Sequence, residues 1–159
     1  MDDRTTYTRT AISLHWLIAL LIFAGWSLGM FMADLPASPD KVRYFSWHKW
    51  IGVTIFLLAL LRALWRATHP APALPASMPR WQLAAAHVSH FLLYVLMLAI
   101  PLSGWLMSSA KGFQTVYFGV LPLPDLLAKN EPLGKFLTGI HVLLAWTLAG
   151  LVKIGRAHV

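Results

Sequence analysis

The sequence predicts an all-α integral membrane protein, a four-helix bundle whose spans run up, down, up and down. Three observations predict it. Of the 159 residues, 58% are hydrophobic and only 12% charged, against about 45–50% and about 25% in a typical soluble domain. The few charges fall between four apolar runs, each close to the roughly 17–25 residues that cross a bilayer. The first two connections are short, which makes successive helices antiparallel neighbours.

The first run covers residues 11–33, between Arg9 and Asp34. It is too long for the apolar core of a signal peptide and has no convincing cleavage site. The second covers about 45–66, with Lys49 at one lip and Arg62 and Arg66 at the other. Residues 81–110 form the longest run and 136–152 the shortest. Together they make one transmembrane domain over residues 1–152. Residues 34–43 read as a turn, and "THPAPALPASMPR" as a proline-rich connector without helical capacity. Residues 111–135 form a longer polar loop whose "VYFGVLPLP" is a candidate interfacial segment.

The absence of cysteine excludes disulfides and iron–sulfur ligation. A formal net charge of +7 would suit nucleic acid if it were clustered. Here the basic residues flank apolar runs, as they do beside lipid headgroups, so nucleic acid is not an expected partner. One face would carry Arg4, Arg9, Arg62, Arg66 and Arg80 with Asp2 and Asp3. The other would carry Lys41, Arg43, Lys49, Lys111, Lys129 and Lys135 with Asp34, Asp40, Asp125 and Glu131. The arginine-rich face, nearly free of acids, is taken as the inner one, which puts the N-terminus inside. Most of the eight tryptophans fall near helix ends and read as interface anchors.

Ionisable residues inside a span are costly and signal function. Here they are chiefly histidines: His15 in the first run, His48 in the second, His87 and His90 in the third, His141 in the fourth. A single such histidine is often satisfied by a helix carbonyl or by interfacial water. One or more on each of four helices is a different pattern. In an antiparallel bundle His48 and His141 start their helices on the same side and so meet at one depth. His15, His87 and His90 start theirs on the opposite side. Neutral imidazole in an apolar pocket suits the iron of haem, or else zinc or copper. Zinc usually needs more ligands, and no carboxylate lies within a span to supply them. A flat macrocycle with two axial histidines needs no third protein ligand. Gly25, Gly29, Gly52 and Gly139 would offer room between helices. Arg9 near His15, and Lys41, Arg43 and Lys49 around His48, are candidate partners for haem propionates. The ordinary alternative for each is snorkelling to lipid phosphate.

The stretches "YTRTAISLHWLIALLIF", "WHKWIGVTIFLLALLRALWR", "AAAHVSHFLLYVLMLAIPLSGWL" and "VYFGVLPLP" together resemble the prokaryotic di-haem cytochrome b family. This is the cytochrome b561 type, related to the cytochrome b subunit of nickel–iron hydrogenases. The resemblance runs through nearly the whole chain to Val152. It implies a bacterial inner-membrane protein with two b-type haems, one toward each face. It implies that His48 and His141 bind the outer haem, that His15 binds the inner one, and that His90 lies near the inner haem and a quinone site. It implies electron transfer between a reactant at the outer face and the quinone pool, with superoxide oxidation at the outer face in some relatives. A haem-bearing anchor subunit for a hydrogenase or dehydrogenase is the alternative. A haem-free proton-relay transporter is a third reading, weakened by the lack of intramembrane carboxylates.

The family's partner for His15 is a second histidine on the fourth helix, fourteen residues past the first, or about 21 Å along the axis. That position is Gly155 in this sequence. The final "KIGRAHV" resembles the translation of a sequencing-library adapter. The expectation is therefore a native helix interrupted at Val152, a non-native tail over residues 153–159, and one of two haems weakened or lost. The rival expectation is a genuine short helix with His158 reaching back as a ligand.

Overall fold

The computed structural model describes residues 6–70 and 78–156. In chain order its elements are α1 (Arg9–Ala33), α2 (Pro39–Thr68), α3 (Arg80–Ala110), β1 (Val116–Tyr117), β2 (Leu121–Pro122) and α4 (Glu131–Arg156). All four helices are long and apolar enough to cross a membrane. The proline-rich stretch 71–77 and His158 lie outside the described residues.

Helix starts are set by local chemistry. Thr8 caps α1, its hydroxyl accepting from the Ala11 N–H at 3.2 Å. Ser38 caps α2 through the Lys41 N–H at 3.2 Å, with Pro39 in the first turn. The Asn130 side chain accepts from the Leu133 N–H at 3.1 Å at the start of α4. These caps explain why α2 and α4 begin at 39 and 131, several residues before their apolar runs at 45 and 136. The extra turns are polar and lie at the bundle's end. Helix α3 continues through Pro101 without a break. Helix α4 runs on past Val152 as backbone helix to Arg156.

The helices pack in sequence order, α1 on α2, α2 on α3 and α3 on α4. Helices α1 and α4 meet through the edge-to-face pair Trp26–Trp146, ring centres 5.3 Å apart. The buried centre is small: Ile18, Ala59 and Met97, with Ile22, Leu58, Tyr94 and Leu98 around them. Leu20, Phe23, Leu64 and Phe91 face outward, about two-thirds exposed. Lipid tails solvate such side chains as well as a core does, so the chain needs no larger centre.

The loop between α3 and α4 is built onto the bundle. Helix α3 ends in a Schellman motif, with Gly112 N–H to Ser109 O and Phe113 N–H to Ser108 O, both 2.9 Å. Gly112 takes φ +77° there, a value that suits glycine because it has no Cβ. Strands β1 and β2 pair antiparallel, Val116 opposite Pro122 and Tyr117 opposite Leu121. Their turn holds Phe118 at φ 50° and Gly119 at φ 73°, the two positive values of a type I′ hairpin turn. Trp50 donates to Val116 O at 2.7 Å, Trp105 donates to Pro124 O at 3.1 Å, and the Tyr117 and Thr54 hydroxyls lie 2.8 Å apart. The tryptophans thus divide: Trp16 and Trp81 stay exposed near helix ends, whereas Trp50 and Trp105 fasten this loop.

Candidate functional site

His48 on α2 and His141 on α4 meet between the helices, their ring centres 6.1 Å apart and their planes at 81°. Each ring is seated against a neighbouring helix in the same way. His48 Nδ1 lies 3.0 Å from the Gly25 carbonyl of α1. His141 Nδ1 lies 3.0 Å from the Ile100 carbonyl of α3 and 3.0 Å from Ser103 Oγ. A carbonyl oxygen only accepts, so the proton sits on Nδ1 in both rings and the Nε2 lone pair is free to coordinate.

In both seats a glycine lies four residues after the accepting carbonyl, on the same helix face. A methyl at Gly29 would sit 3.2 Å from His48 Cε1, and one at Gly104 would sit 3.1 Å from His141 Cε1. Both distances are tighter than ordinary contact, so these glycines let each ring lie flush against its neighbour helix. Of the glycines expected to make room, Gly25, Gly29 and Gly52 adjoin the site, whereas Gly139 has nothing within 4 Å and does not line it. Gly104 was missed, although "PLSGWL" carries it beside Ser103.

An apolar cavity of about 80 Å³ adjoins both rings, walled by Ile22, Trp26, Ile55, Met97 and Leu148 among others. Two imidazole–metal bonds of about 2 Å each, plus about 1 Å from each nitrogen to its ring centre, separate the centres by about 6 Å. The rings stand 6.1 Å apart, a spacing they would also have if both Nε2 atoms faced one metal. Among the described residues no three histidine, aspartate or glutamate side chains converge. The donor set at this end is two imidazoles between apolar walls, a donor chemistry that suits the iron of haem.

The other end of the bundle is less enclosed. His15 is exposed and stands edge-on to Trp16, ring centres 5.5 Å apart. Arg62 and His90 are among its neighbours, and the Arg62 guanidinium lies 5.5 Å from the centre of the Tyr94 ring. His90 is also exposed. His87 bonds the Leu83 carbonyl one turn back on its own helix at 2.7 Å, an intrahelical satisfaction. Gly155 lies on α4, fourteen residues past His141 or about 21 Å along the axis.

The candidate propionate partners have other contacts. Arg43 pairs with Asp40 at 3.1 Å and lies over Trp47 at 5.4 Å. Lys49 donates to Ser108 Oγ at 3.1 Å and to the Phe113 and Gln114 carbonyls, each at 3.2 Å. Lys41 bonds the Ala33 and Leu35 carbonyls that close α1. Arg9 is exposed at the start of α1.

The family model for prokaryotic cytochrome b561 matches residues 6–154. The chain belongs to the prokaryotic cytochrome b561 family. It is a bacterial multi-pass membrane protein that carries haem b and transfers electrons. It is 33% identical over 153 residues to cytochrome b561 homolog 2 of Escherichia coli K12, covering 91% of this chain and 78% of that one. It is 29% identical over 143 residues to the probable superoxide oxidase CybB of Yersinia pestis, covering 87% and 78% respectively. Cytochrome b561 homolog 1 of Escherichia coli K12 is 25% identical over 138 residues, covering 85% of this chain and 77% of the relative.

Proposed function

We propose that His48 and His141 are the two axial ligands of a haem near the outer face, and that this protein moves electrons between that face and membrane quinone. The observation that carries the reading is the pair of rings 6.1 Å apart, each with its Nδ1 proton held by a carbonyl. When bound, haem b supplies a one-electron iron couple. The residues do the rest. Both imidazoles are fixed in the tautomer that offers Nε2, and a haem held by both would have no open position for oxygen or carbon monoxide. The N-terminus is inside, which puts Arg62, Arg66 and His90 at the inner face as the surroundings for quinone. His15 serves an inner haem there, and Gly155 on α4 supplies no second ligand.

The outer reactant is superoxide. Likeness to the probable superoxide oxidase supports this, as does the basic rim of Lys41, Arg43, Lys49 and Lys111, whose charge attracts small anions. Lys49 and Lys41 bond neutral oxygens rather than carboxylates. Two superoxide ions each lose one electron and leave as oxygen, and quinone takes up the two electrons with two protons. Haem quantified per chain, with a dithionite-reduced minus oxidised spectrum, tests the cofactor. Reduction of the protein by superoxide, followed by re-oxidation with a ubiquinone analogue, tests the reaction. A protein that superoxide leaves oxidised is no superoxide oxidase, and co-purification with a hydrogenase or dehydrogenase subunit would then mark it as an anchor.

A further inference from the structure

We infer that Ser103 is a positioning residue that sets the donor strength of His141, and through it the oxidation–reduction equilibrium of the group these histidines hold. This rests on the axial role proposed above for His141. The two histidine seats match in their backbone carbonyl and in the glycine four residues on, and differ in the residues between. Three residues after the accepting carbonyl, α3 carries Ser103, whereas α1 carries Leu28. Ser103 is buried, 6% exposed. Its hydroxyl donates to the Ile100 carbonyl at 2.7 Å. That bond uses its hydrogen and leaves Oγ to accept from His141 Nδ1 at 3.0 Å. The His141 N–H is therefore shared between two acceptors, Ser103 Oγ and Ile100 O. His48 Nδ1 has the Gly25 carbonyl.

An acceptor on the Nδ1 proton draws it away from the ring and makes Nε2 a stronger donor. A stronger donor favours the more oxidised iron. Removing the hydroxyl weakens the donor and favours the reduced state. A serine in a membrane helix often bonds the carbonyl one turn back. Here the same oxygen also meets the ring nitrogen, and that second contact separates a tuning role from a structural one.

The test compares the haem-loaded full chain with Ser103→Ala and Ser103→Thr. Each is titrated potentiometrically, followed by its visible spectrum, and its oxidised form is measured by electron paramagnetic resonance. Ser103→Ala is expected to keep its haem. Its ratio of reduced to oxidised form at fixed potential should rise about tenfold, equal to an upward shift of about 59 mV for one electron. Ser103→Thr, which restores the hydroxyl, should return the potential toward the parent value. Full haem content with unchanged potential and resonance in Ser103→Ala overturns the inference and leaves the proposed ligation standing. If Ser103→Ala loses its haem, recovery of both haem and potential in Ser103→Thr supports the role, and loss in both variants overturns it. A parent chain without a low-spin haem overturns the ligation itself.

Discussion

At the end of the bundle where α1 finishes, two histidines from α2 and α4 face each other, each pinned by a carbonyl and given space by a glycine. At the opposite end His15 and His90 share a neighbourhood with Arg62 but remain exposed. The residue types are the same, but the first pair stands on α2 and α4 and the second on α1 and α3. What differs is how much backbone surrounds each ring. His48 and His141 sit against glycine-bearing faces of adjacent helices, at the end that carries the loop fastened by Trp50, Trp105 and Lys49. His15 and His90 stay exposed at the opposite end. Holding an imidazole as a ligand takes a second partner for its other nitrogen and a close-fitting wall, and among the described residues the His48–His141 end shows both.

The sharpest way to break this comparison is to remove one outer ring. His48→Ala and His141→Ala should each abolish the same low-spin haem, read as loss of its band in the reduced minus oxidised spectrum. An unchanged spectrum in either variant would dissolve the pairing.

Next in size is an attempt to complete the weaker end. The 159-residue chain should bind an inner haem weakly, with a high-spin component that takes up carbon monoxide, because His15 alone leaves an open position. Gly155→His should add a second low-spin haem. Two tight low-spin haems in the unaltered chain would mean that another histidine, His87 or His90 among the described ones, already completes the inner end.

The glycine seats should respond next. Ala at Gly29 or Gly104 places a methyl 3.2 or 3.1 Å from a histidine carbon, an overpacking that costs about 1–3 kcal/mol. Haem retention on dilution or on heating should fall in both variants. Gly139→Ala, where nothing lies within 4 Å, should behave as the parent. Equal behaviour of all three would remove the seats from the account.

His90→Ala, measured in the chain with Gly155→His, should slow re-oxidation by a quinone analogue while the outer spectrum stays as it was. Equal rates would leave His90 with only a structural role. The smallest effect belongs to Arg43→Gln. The Arg43–Asp40 pair is exposed on both sides, and such pairs contribute about 0–1 kcal/mol. Thermal stability and haem content should therefore change little, and a large loss of haem would restore Arg43 as a propionate partner.

The number of spans, their antiparallel order and the shared depth of His48 and His141 were all legible from residue order. Apolar run length and connection length decide them without reference to any partner. The early starts of α2 and α4 were legible too, in Ser38-Pro39 and Asn130-Glu131, but an apolar scan passes over polar caps. Which glycine serves which ring was not legible. Gly139 lies two residues from His141 in sequence and plays no part, whereas Gly104 on another helix touches it. Nor was it legible that Lys49 would donate to Ser108 and to the Phe113 and Gln114 carbonyls at the end of α3, or that Trp50 and Trp105 would hold the loop that follows. Sequence determines what each helix carries and at what height. Rotation of each helix about its axis, and so the partner each side chain meets, is decided only when ridges and grooves of neighbouring helices pack.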